Sequence, residues 1–468
     1  RDSGQEGRQE EEGQAAGLTA VRMNESPEYA RDTIAAVATP PGKGGIGIVR
    51  ISGPDAENIA TRILGSLPKP RYATRAEFRD ADGVTIDSGL ALWFPGPDSF
   101  TGESVLELHG HGGPTVMSLL VNAALKVGAR RAQPGEFSQR AFLNGKLDLV
   151  QAEAVADLID SGTAQAARAA QRSLAGAFSA AVDALAEDLI RLRLHVEAAI
   201  DFPEEEIDFL ADDALNARIE QCANAFDVLT AQAQSGRLLR DGLQVVIVGR
   251  PNAGKSSLLN FLSGQEAAIV TEVAGTTRDI LRERVDIDGL AVEFVDTAGL
   301  RDDPDVIEAE GIRRARQALA DADAVLWVQD VAGDTPGLPG DALPDDTPVI
   351  VLRNKIDLTD AAPGVVDGES RVLNISARTG AGIDALKTCL RQLAGYHDAG
   401  EGAFTARQRH IDGLHAARRH FDQGRQALQK EKAGELLAEE LRLAQEALGS
   451  ITGEFSSDDL LGRIFAEF

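Results

Sequence analysis

The apolar positions of this chain change period several times, and the changes mark its parts. Asp32-Thr-Ile-Ala-Ala-Val-Ala and Gly45-Ile-Gly-Ile-Val-Arg-Ile-Ser flank a Gly/Pro turn and read as two short strands. Residues 55–64 shift to helical spacing, Gly89-Leu-Ala-Leu-Trp-Phe and Val105-Leu-Glu-Leu-His109 return to strand patterning, and 115–127 is amphipathic again. Together they predict a compact α/β domain ending near residue 140. From about 147 to 235 the chain is Ala- and Leu-rich with almost no breakers. Leu174, Phe178, Val182, Leu185, Leu189, Leu192, Val196 and Ile200 step by three or four, which places them on one helix face. Asp201-Phe-Pro-Glu-Glu-Glu-Ile-Asp-Phe interrupts this run, and a second helix is predicted from about 211 to 235. Residues 404–451 resume the style, with Leu437, Leu441, Ala444, Leu448 and Ile451 in one stripe. Neither block can cover its own apolar face. The two are expected to pack together as one helical domain, with 241–395 inserted between them.

In the insert, strand-like runs near 244–248, 290–295, 324–329, 348–353 and 371–375 alternate with helical segments. This predicts a mostly parallel sheet with helices on both faces, binding ligands beyond its strand ends. Val245-Val-Ile-Val leads into Gly249-Arg-Pro-Asn-Ala-Gly254-Lys255-Ser256-Ser257, followed by a helix-like segment with Leu258, Leu259 and Leu262. This is a phosphate-cradling loop in strand–loop–helix context: its N–H groups and the helix N-terminus suit an anion. Lys255 suits the terminal phosphates and the Ser256 hydroxyl a magnesium ion. Asp296-Thr297-Ala298-Gly299 follows an apolar run, placing Asp296 to hold magnesium through water and the Gly299 N–H near the last phosphate.

Asn354-Lys355-Ile-Asp357 follows Val349-Ile-Val-Leu. A carboxylate there accepts from both the ring N–H and the exocyclic amine of guanine, a donor pair that adenine lacks. Ser376-Ala377-Arg378 follows the last strand and offers backbone N–H to the guanine carbonyl. The residue after Gly299 is Leu300 rather than a water-orienting glutamine, so another device must promote hydrolysis. Asn252 fits two roles, a loop-stabilising residue or an amide ligand for a monovalent cation beside the phosphates. Gly275-Thr276-Thr277-Arg-Asp supplies a threonine pair for the switch region.

Composition narrows these readings. A chain of 468 residues suggests about three domains, and its 43% hydrophobic content suits a globular protein. No apolar run approaches the roughly 20 residues of a membrane span, so no membrane role and a cytoplasmic location are expected. A net charge of −27 argues against a broad nucleic-acid footprint but leaves room for a local basic patch. Cys222 and Cys389 are far apart, and buried thiols are expected rather than a disulfide. Residues 1–22 are polar and read as a disordered extension before Met23. His109 and His111 flank Gly110, but a metal site needs a third ligand that is not evident, so hydrogen-bonding histidines are expected. Arg50, Glu107 and Lys146 are charges in apolar surroundings, which by themselves read as solvated residues.

Several motifs do not belong to GTP-binding domains in general. They are Ala38-Thr-Pro-Pro-Gly, Gly44-Gly-Ile-Gly-Ile-Val-Arg-Ile-Ser-Gly53, Phe100-Thr-Gly-Glu, Leu108-His-Gly-His-Gly-Gly-Pro114, Pro134-Gly-Glu-Phe-Ser-Gln-Arg-Ala-Phe-Leu-Asn144 and Lys146-Leu-Asp148. With Gly249–Asn260 and Gly275–Asp279 they make the chain resemble the tRNA-modification GTPase family MnmE (TrmE) from about residue 32 to 468. The resemblance implies a multidomain α/β plus all-α architecture. Its parts are an N-terminal folate-binding and dimerising α/β domain (23–145), a helical domain (146–240 and 396–468) and an inserted P-loop GTPase domain (241–395).

It also implies that the chain acts as a homodimer with an MnmG (GidA)-like flavoprotein on the wobble uridine of certain tRNAs. There it installs an aminomethyl or carboxymethylaminomethyl group from a one-carbon tetrahydrofolate such as 5-formyltetrahydrofolate. Potassium-dependent pairing of G domains would trigger hydrolysis. Carried over by motif, Asn252 of the phosphate loop would ligate K+ together with Thr271, Val273 and Thr276 of a switch loop that includes Glu272, Ala274 and Gly275. Ser256 and Thr277 would ligate Mg2+. Glu308 matches the water-orienting glutamate, with Glu310 its near competitor, and Arg50, Glu107 and Lys146 match folate-contacting positions. The family's Cys-x-Gly-Lys tail is not in this sequence, which ends at Phe468. Because the match runs to the last residue, truncation is the expected explanation. A ribosome-assembly or regulatory GTPase would share 241–395 but has no use for a folate-like domain, and a degenerate helical interaction protein would not keep the motifs from Gly249 through Ser376 intact.

Overall fold

The computed structural model describes residues 32–201, 213–250, 252–265, 282–296, 319, 322–331, 347–366, 369–394, 402–454 and 464–465. The chain divides into two compact units, residues 1–140 and 141–468.

The first unit contains β1 (Ile34–Val37), β2 (Gly44–Ser52), α1 (Ala56–Leu64), β3 (Thr74–Arg79), β4 (Thr85–Phe94), β5 (Val105–Gly112), α2 (Pro114–Lys126) and β6 (Arg130–Arg131). One six-stranded sheet has the order β3-β4-β5-β2-β1-β6, antiparallel except for the β1–β6 pair. Strand alternation sorts the side chains. Val49, Ile51, Leu106, Leu108 and Trp93 face inward with Ile59, Ala60 and Ile63 of α1 and Leu120, Val121 and Ala124 of α2. Arg50 and Glu107 fall on the other set of positions, opposite each other in the β2–β5 register.

The pattern did not reveal β3 or β6. In Thr74-Arg-Ala-Glu-Phe-Arg79 only Phe78 is a large buried residue, and β6 has two residues, both arginine. The motif residues left without a role are joined in one ion network. Arg140 donates to Asp32 (2.6 Å), Glu103 (3.0 Å) and Glu136 (3.0 Å), and Arg130 reaches Glu136 and Asp32. Ser52 donates to the same Glu103 at 2.7 Å. Each buried charge therefore has opposite charges around it, without which its desolvation would be prohibitive.

The second unit continues from α3 (Glu136–Leu143) into α4 (Leu149–Ile159), α5 (Ala164–Leu174), α6 (Ala177–Asp201) and α7 (Asp213–Asp241). Asp148 caps α4 reciprocally with Gln151, which gives the Lys146-Leu-Asp148 motif a structural reason. The predicted stripe begins at Phe178 rather than Leu174. Gly176, at φ +89°, separates the end of α5 from α6, and the positions from Phe178 to Val196 are buried. Helix α7 runs six residues past its predicted end, and a single residue, Gly242 (φ +80°), joins it to β7 (Leu243–Gly249).

Beyond β7 come α8 (Lys255–Gln265), β8 (Arg282–Ile287), β9 (Leu290–Asp296), β10 (Ala324–Asp330), β11 (Val349–Asn354), β12 (Gly364–Val366), β13 (Glu369–Asn374), α9 (Ile383–Leu393), α10 (Gln408–Glu431) and α11 (Gly434–Thr452). The sheet order is β12-β13-β11-β10-β7-β9-β8, with five central parallel strands and antiparallel β8 and β12 at the edges. The five central strands coincide with the five runs predicted from the pattern. Edge strand β8 (Arg-Glu-Arg-Val-Asp-Ile) gives no such signal, because among its described side chains only Val285 and Ile287 are buried.

Val245, Ile247, Leu326 and Leu352 pack with Leu258 and Leu262 of α8 and Leu386 and Leu390 of α9, while Val246 and Val325 pack with Leu319 in a separate cluster. A third cluster draws Phe178, Leu189 and Val196 from before the nucleotide-binding sheet together with Phe421, Leu437, Leu441 and Leu448 from after it. Helix α11 packs on both α6 and α10. Burying such side chains is worth about 1.5–3 kcal/mol each, and none of these helices could retain its stripe alone.

Candidate nucleotide-binding site

The loop after β7 is shaped by two glycines that admit no side chain. A Cβ on Gly249 would lie 2.4 Å from the Val328 carbonyl of β10, and one on Gly254 would lie 2.2 Å from the Asn354 amide nitrogen. Gly254 also takes φ +95° and Asn252 takes φ +67°, left-handed values that turn the loop before α8 begins at Lys255. The Lys255 ammonium donates to the carbonyls of Gly249 (2.9 Å) and Arg250 (3.0 Å), so a buried cation closes the loop from within. Ala253 is buried, whereas Asn252, Ser256 and Ser257 are exposed at the loop and the first turn of α8.

Asn354 is the centre of the site. It is 1% exposed, its Nδ2 donates to the Ala253 carbonyl at 2.8 Å, and its Oδ1 accepts from the Ala377 N–H at 2.9 Å. One side chain thus ties the phosphate loop to the Ser376–Arg378 loop. Lys355 follows in a left-handed conformation (φ +68°) and pairs with Asp330 at 2.7 Å. Asp357 accepts from the fully buried Ser376 hydroxyl at 2.6 Å, and Arg378 stands 3.8 Å from its second oxygen. The Ser376 hydroxyl also accepts the Thr379 N–H at 3.2 Å. The carboxylate is therefore oriented by a bond that leaves acceptor capacity for a ligand. The parallel register sets Asp296 beside Ile247, at the strand end next to the loop.

The structure thus brings Asn252–Ser257, Asn354, Lys355, Asp357 and Ser376–Arg378 to the C-terminal ends of the parallel strands β7, β11 and β13. Thr271, Glu272, Val273, Ala274, Gly275, Thr276, Thr277, Thr297, Ala298, Gly299 and Glu308, as well as the Asp296 side chain, lie outside the described residues. Of the three N–H groups expected to face the base, Ser376 donates its own to the Ala381 carbonyl at 2.9 Å and Ala377 donates its own to Asn354. Asp330, the partner of Lys355, carries no motif signal.

In the first unit Arg50 donates to Glu107 Oε1 through Nε at 2.8 Å, with Nη2 in ion-pair contact with the same oxygen at 2.8 Å, and lies 5.3 and 5.6 Å from the ring centroids of Phe100 and Phe137. His109 approaches the other Glu107 oxygen at 3.3 Å. His111 bonds Asp87 at 2.8 Å, and among the described residues no three metal-ligating side chains converge. The histidines are hydrogen-bonding groups, as expected. Hydrogen bonds from His111 and Ser88 outweigh burial and hold the Asp87 carboxyl below its usual range. Lys146 belongs to the second unit, exposed in the turn between α3 and α4.

The family model of the MnmE helical domain matches residues 149–468, and that of the GTP-binding protein TrmE N-terminus matches 33–146. The chain belongs to the MnmE (TrmE) family. As a member it is a tRNA-modification GTPase in family and fold, with a P-loop sheet inserted in a helical domain and an α/β domain before it. Among solved structures, an Era variant from Aquifex aeolicus bound to GDP and AlF4− is 28% identical over 38% of this chain and 65% of that one, with a TM-score of 0.26. The G domain of the T. maritima FeoB iron transporter is 26% identical over 32% of this chain and 98% of that one, at 0.25. No helix among the described residues is long and apolar enough to cross a membrane.

Proposed function

We propose that this MnmE-family chain hydrolyses GTP in a potassium-dependent reaction triggered by G-domain pairing, and that hydrolysis drives modification of the wobble uridine of tRNA. The carbon comes from a one-carbon tetrahydrofolate, and the partner is an MnmG-like flavoprotein. The observation that carries the nucleotide half is Asn354. By joining the phosphate loop to the loop that positions Asp357, it fixes a guanine-reading carboxylate relative to a triphosphate cradle. Guanine presents two donors to Asp357 and adenine presents none at that edge, so the site selects GTP.

The residues suit the ions this chemistry needs. Ser256 exposes a hydroxyl at the helix start, suited to a hard divalent ion such as Mg2+. Asn252 exposes an amide on a left-handed loop residue, suited to K+. Bound there, the ions would supply positive charge against that developing on the phosphates. Lys255 holds the loop in shape, and Glu308 orients the attacking water. In the first unit, Glu107 is an acceptor for ring N–H groups, 14% exposed on the sheet face away from the core, which suits a pteridine. Arg50 orients that carboxylate. The proposed division is a folate and dimerisation part (23–145), a helical part (146–240 and 396–468) and the G domain (241–395).

The test is GTP turnover by the full chain in KCl and in NaCl. Strong activation by potassium is expected, and it should be lost in Asn252→Ala. Equal rates in both salts would remove the cation role. Glu308→Ala should abolish turnover with GTP affinity kept. Calorimetry with 5-formyltetrahydrofolate tests the folate half, and absence of heat with a folded dimer would favour an assembly GTPase instead.

A further inference from the structure

The chain carries a net charge of −27, yet one stretch of its first unit has the opposite sign. Between residues 62 and 79 there are five cations (Arg62, Lys69, Arg71, Arg75 and Arg79) against a single carboxylate, Glu77. All five are exposed. The stretch leaves α1 through Gly65, crosses a loop and enters β3, which is an edge strand with one side unpaired. Arg75 and Arg79 are both exposed on β3; Glu77 lies between them and pairs with Arg79 at 3.1 Å, and the β3–β4 register shifts just before Arg79.

An aromatic ring stands among these charges. Tyr72 is 59% exposed, and the Lys69 ammonium lies 4.0 Å from its ring centroid. The loop that carries the pair is set in advance. The Arg71 backbone N–H bonds the Trp93 carbonyl at 2.8 Å, its guanidinium bonds the Asp98 carbonyl, and the Tyr72 N–H bonds the Lys69 carbonyl at 3.2 Å. Arg71 takes φ +61° to make this turn. More than half of this large ring is left in solvent, and a fixed loop spares a partner the entropy of ordering it.

We propose that this surface, centred on Tyr72 with Lys69, Arg75 and Arg79, is a docking site for RNA. An unstacked base lies on the tyrosine ring, and backbone phosphates meet the cations. The partner must be a polyanion with flat faces, which fits a nucleic acid and not an acidic peptide. The inference rests on the tRNA-modification reading and adds where so acidic a chain meets its substrate. Repulsion from the rest of the surface makes the patch directional, because an RNA approaching elsewhere meets like charge.

The test is fluorescence anisotropy of labelled bulk tRNA with the full-length chain, titrated at several salt concentrations. Lys69→Glu/Arg75→Glu should weaken binding by about 30-fold or more and flatten the plot of log affinity against log salt by about one to two units. Tyr72→Ala should weaken it by about tenfold. Lys430→Glu, an exposed reversal on α10, should leave binding as in the wild type. GTP turnover should be unchanged in all of them. The charge-neutral pair Lys69→Gln/Arg75→Gln repeats the test where reversal disturbs folding. A double variant that binds within about twofold of wild type with the same salt slope overturns the proposal. So does a variant that loses only self-association in sedimentation, which would make the face a contact between copies. Wild-type chain that binds no tRNA even at low salt would remove the tRNA reading itself.

Discussion

Replacing Asn354 with alanine tests the assembly of the nucleotide site directly. The side chain is 1% exposed and makes two short bonds, to the Ala253 carbonyl at 2.8 Å and from the Ala377 N–H at 2.9 Å. Alanine removes both partners at once and leaves a buried carbonyl and a buried N–H unsatisfied. Each orphan costs about 1–3 kcal/mol, so the pair costs about 2–6 kcal/mol, less whatever water entering the vacated space recovers. That loss does not spread evenly. The two groups belong to loops that meet through this side chain, so the phosphate cradle and Asp357 lose their fixed relation and nucleotide must restore it on binding. Affinity for GDP, read by fluorescent-nucleotide titration, should fall by about a hundredfold, which is about 2.8 kcal/mol. The apparent melting temperature without nucleotide should fall as well. Asn354→Asp keeps the acceptor for Ala377 and sets a carboxylate against the Ala253 carbonyl, so it should weaken GDP binding too. If Asn354→Ala leaves GDP affinity within about twofold of wild type and melts at the wild-type temperature, the bridging argument is wrong.

Three further outcomes follow from the same reasoning. Asp357→Asn offers one donor and one acceptor where guanine needs two acceptors, so GTP affinity should fall while xanthosine triphosphate, which accepts where guanine donates, gains; competition binding shows it. Gly254→Ala requires φ +95° of a residue with a Cβ and sets that Cβ 2.2 Å from the Asn354 amide, so it should abolish nucleotide binding with the circular-dichroism spectrum kept. The third concerns Glu153 of α4, which burial pushes up but hydrogen bonds from His410 (2.8 Å) and Arg409 (2.6 and 2.7 Å) pull down to about 2. A depressed carboxyl stabilises the fold above its unfolded value of 4.5 and loses that contribution as pH falls toward 2. Glu153→Gln should therefore cost about 3 kcal/mol near pH 7, with the gap to wild type closing in acid; a gap independent of pH in denaturant melts would refute it.

What the sequence disclosed and what it hid divide along physical lines. Strands β7, β9, β10 and β11 were legible because a buried parallel strand must be apolar for several residues running, and the motifs follow β7, β9, β11 and β13. The helical stripe was legible from Phe178 onward because its period of three to four is a packing requirement. Edge strands β3, β8 and β12 were not, because an edge buries one face or less and needs only a few apolar residues. The site was legible as residue types at given spacings, yet the spacing of Asn354-Lys-Ile-Asp357 assigns nothing to the asparagine. Its role is to reach Ala253, 101 positions earlier, and Ala377, 23 later.

The same limit explains the buried ion networks, which reveal how the helical part accepts an insert. Glu153 and Asp157 of α4 take Arg409, His410 and Arg407 from the chain that follows the nucleotide-binding sheet, and Arg240 from the end of α7 that precedes it. His410 also accepts the Arg407 N–H through Nδ1, which leaves Nε2 to carry the proton that meets Glu153. Burial lowers the affinity of this ring for a second proton, and Glu153 opposes that only in part. The neutral ring is therefore suited to satisfying polar groups here without adding another buried charge. Entry and exit of the inserted sheet are consequently fastened to one helix by groups that cannot be left unpaired, since removing one partner of a buried pair costs about 3–5 kcal/mol. A G domain on flexible tethers could hydrolyse GTP with no consequence for its neighbour. One that begins a single glycine after α7, and that is followed by a helix start bonded into α4 through Arg407, Arg409 and His410, must transmit any displacement of β7 to the helices.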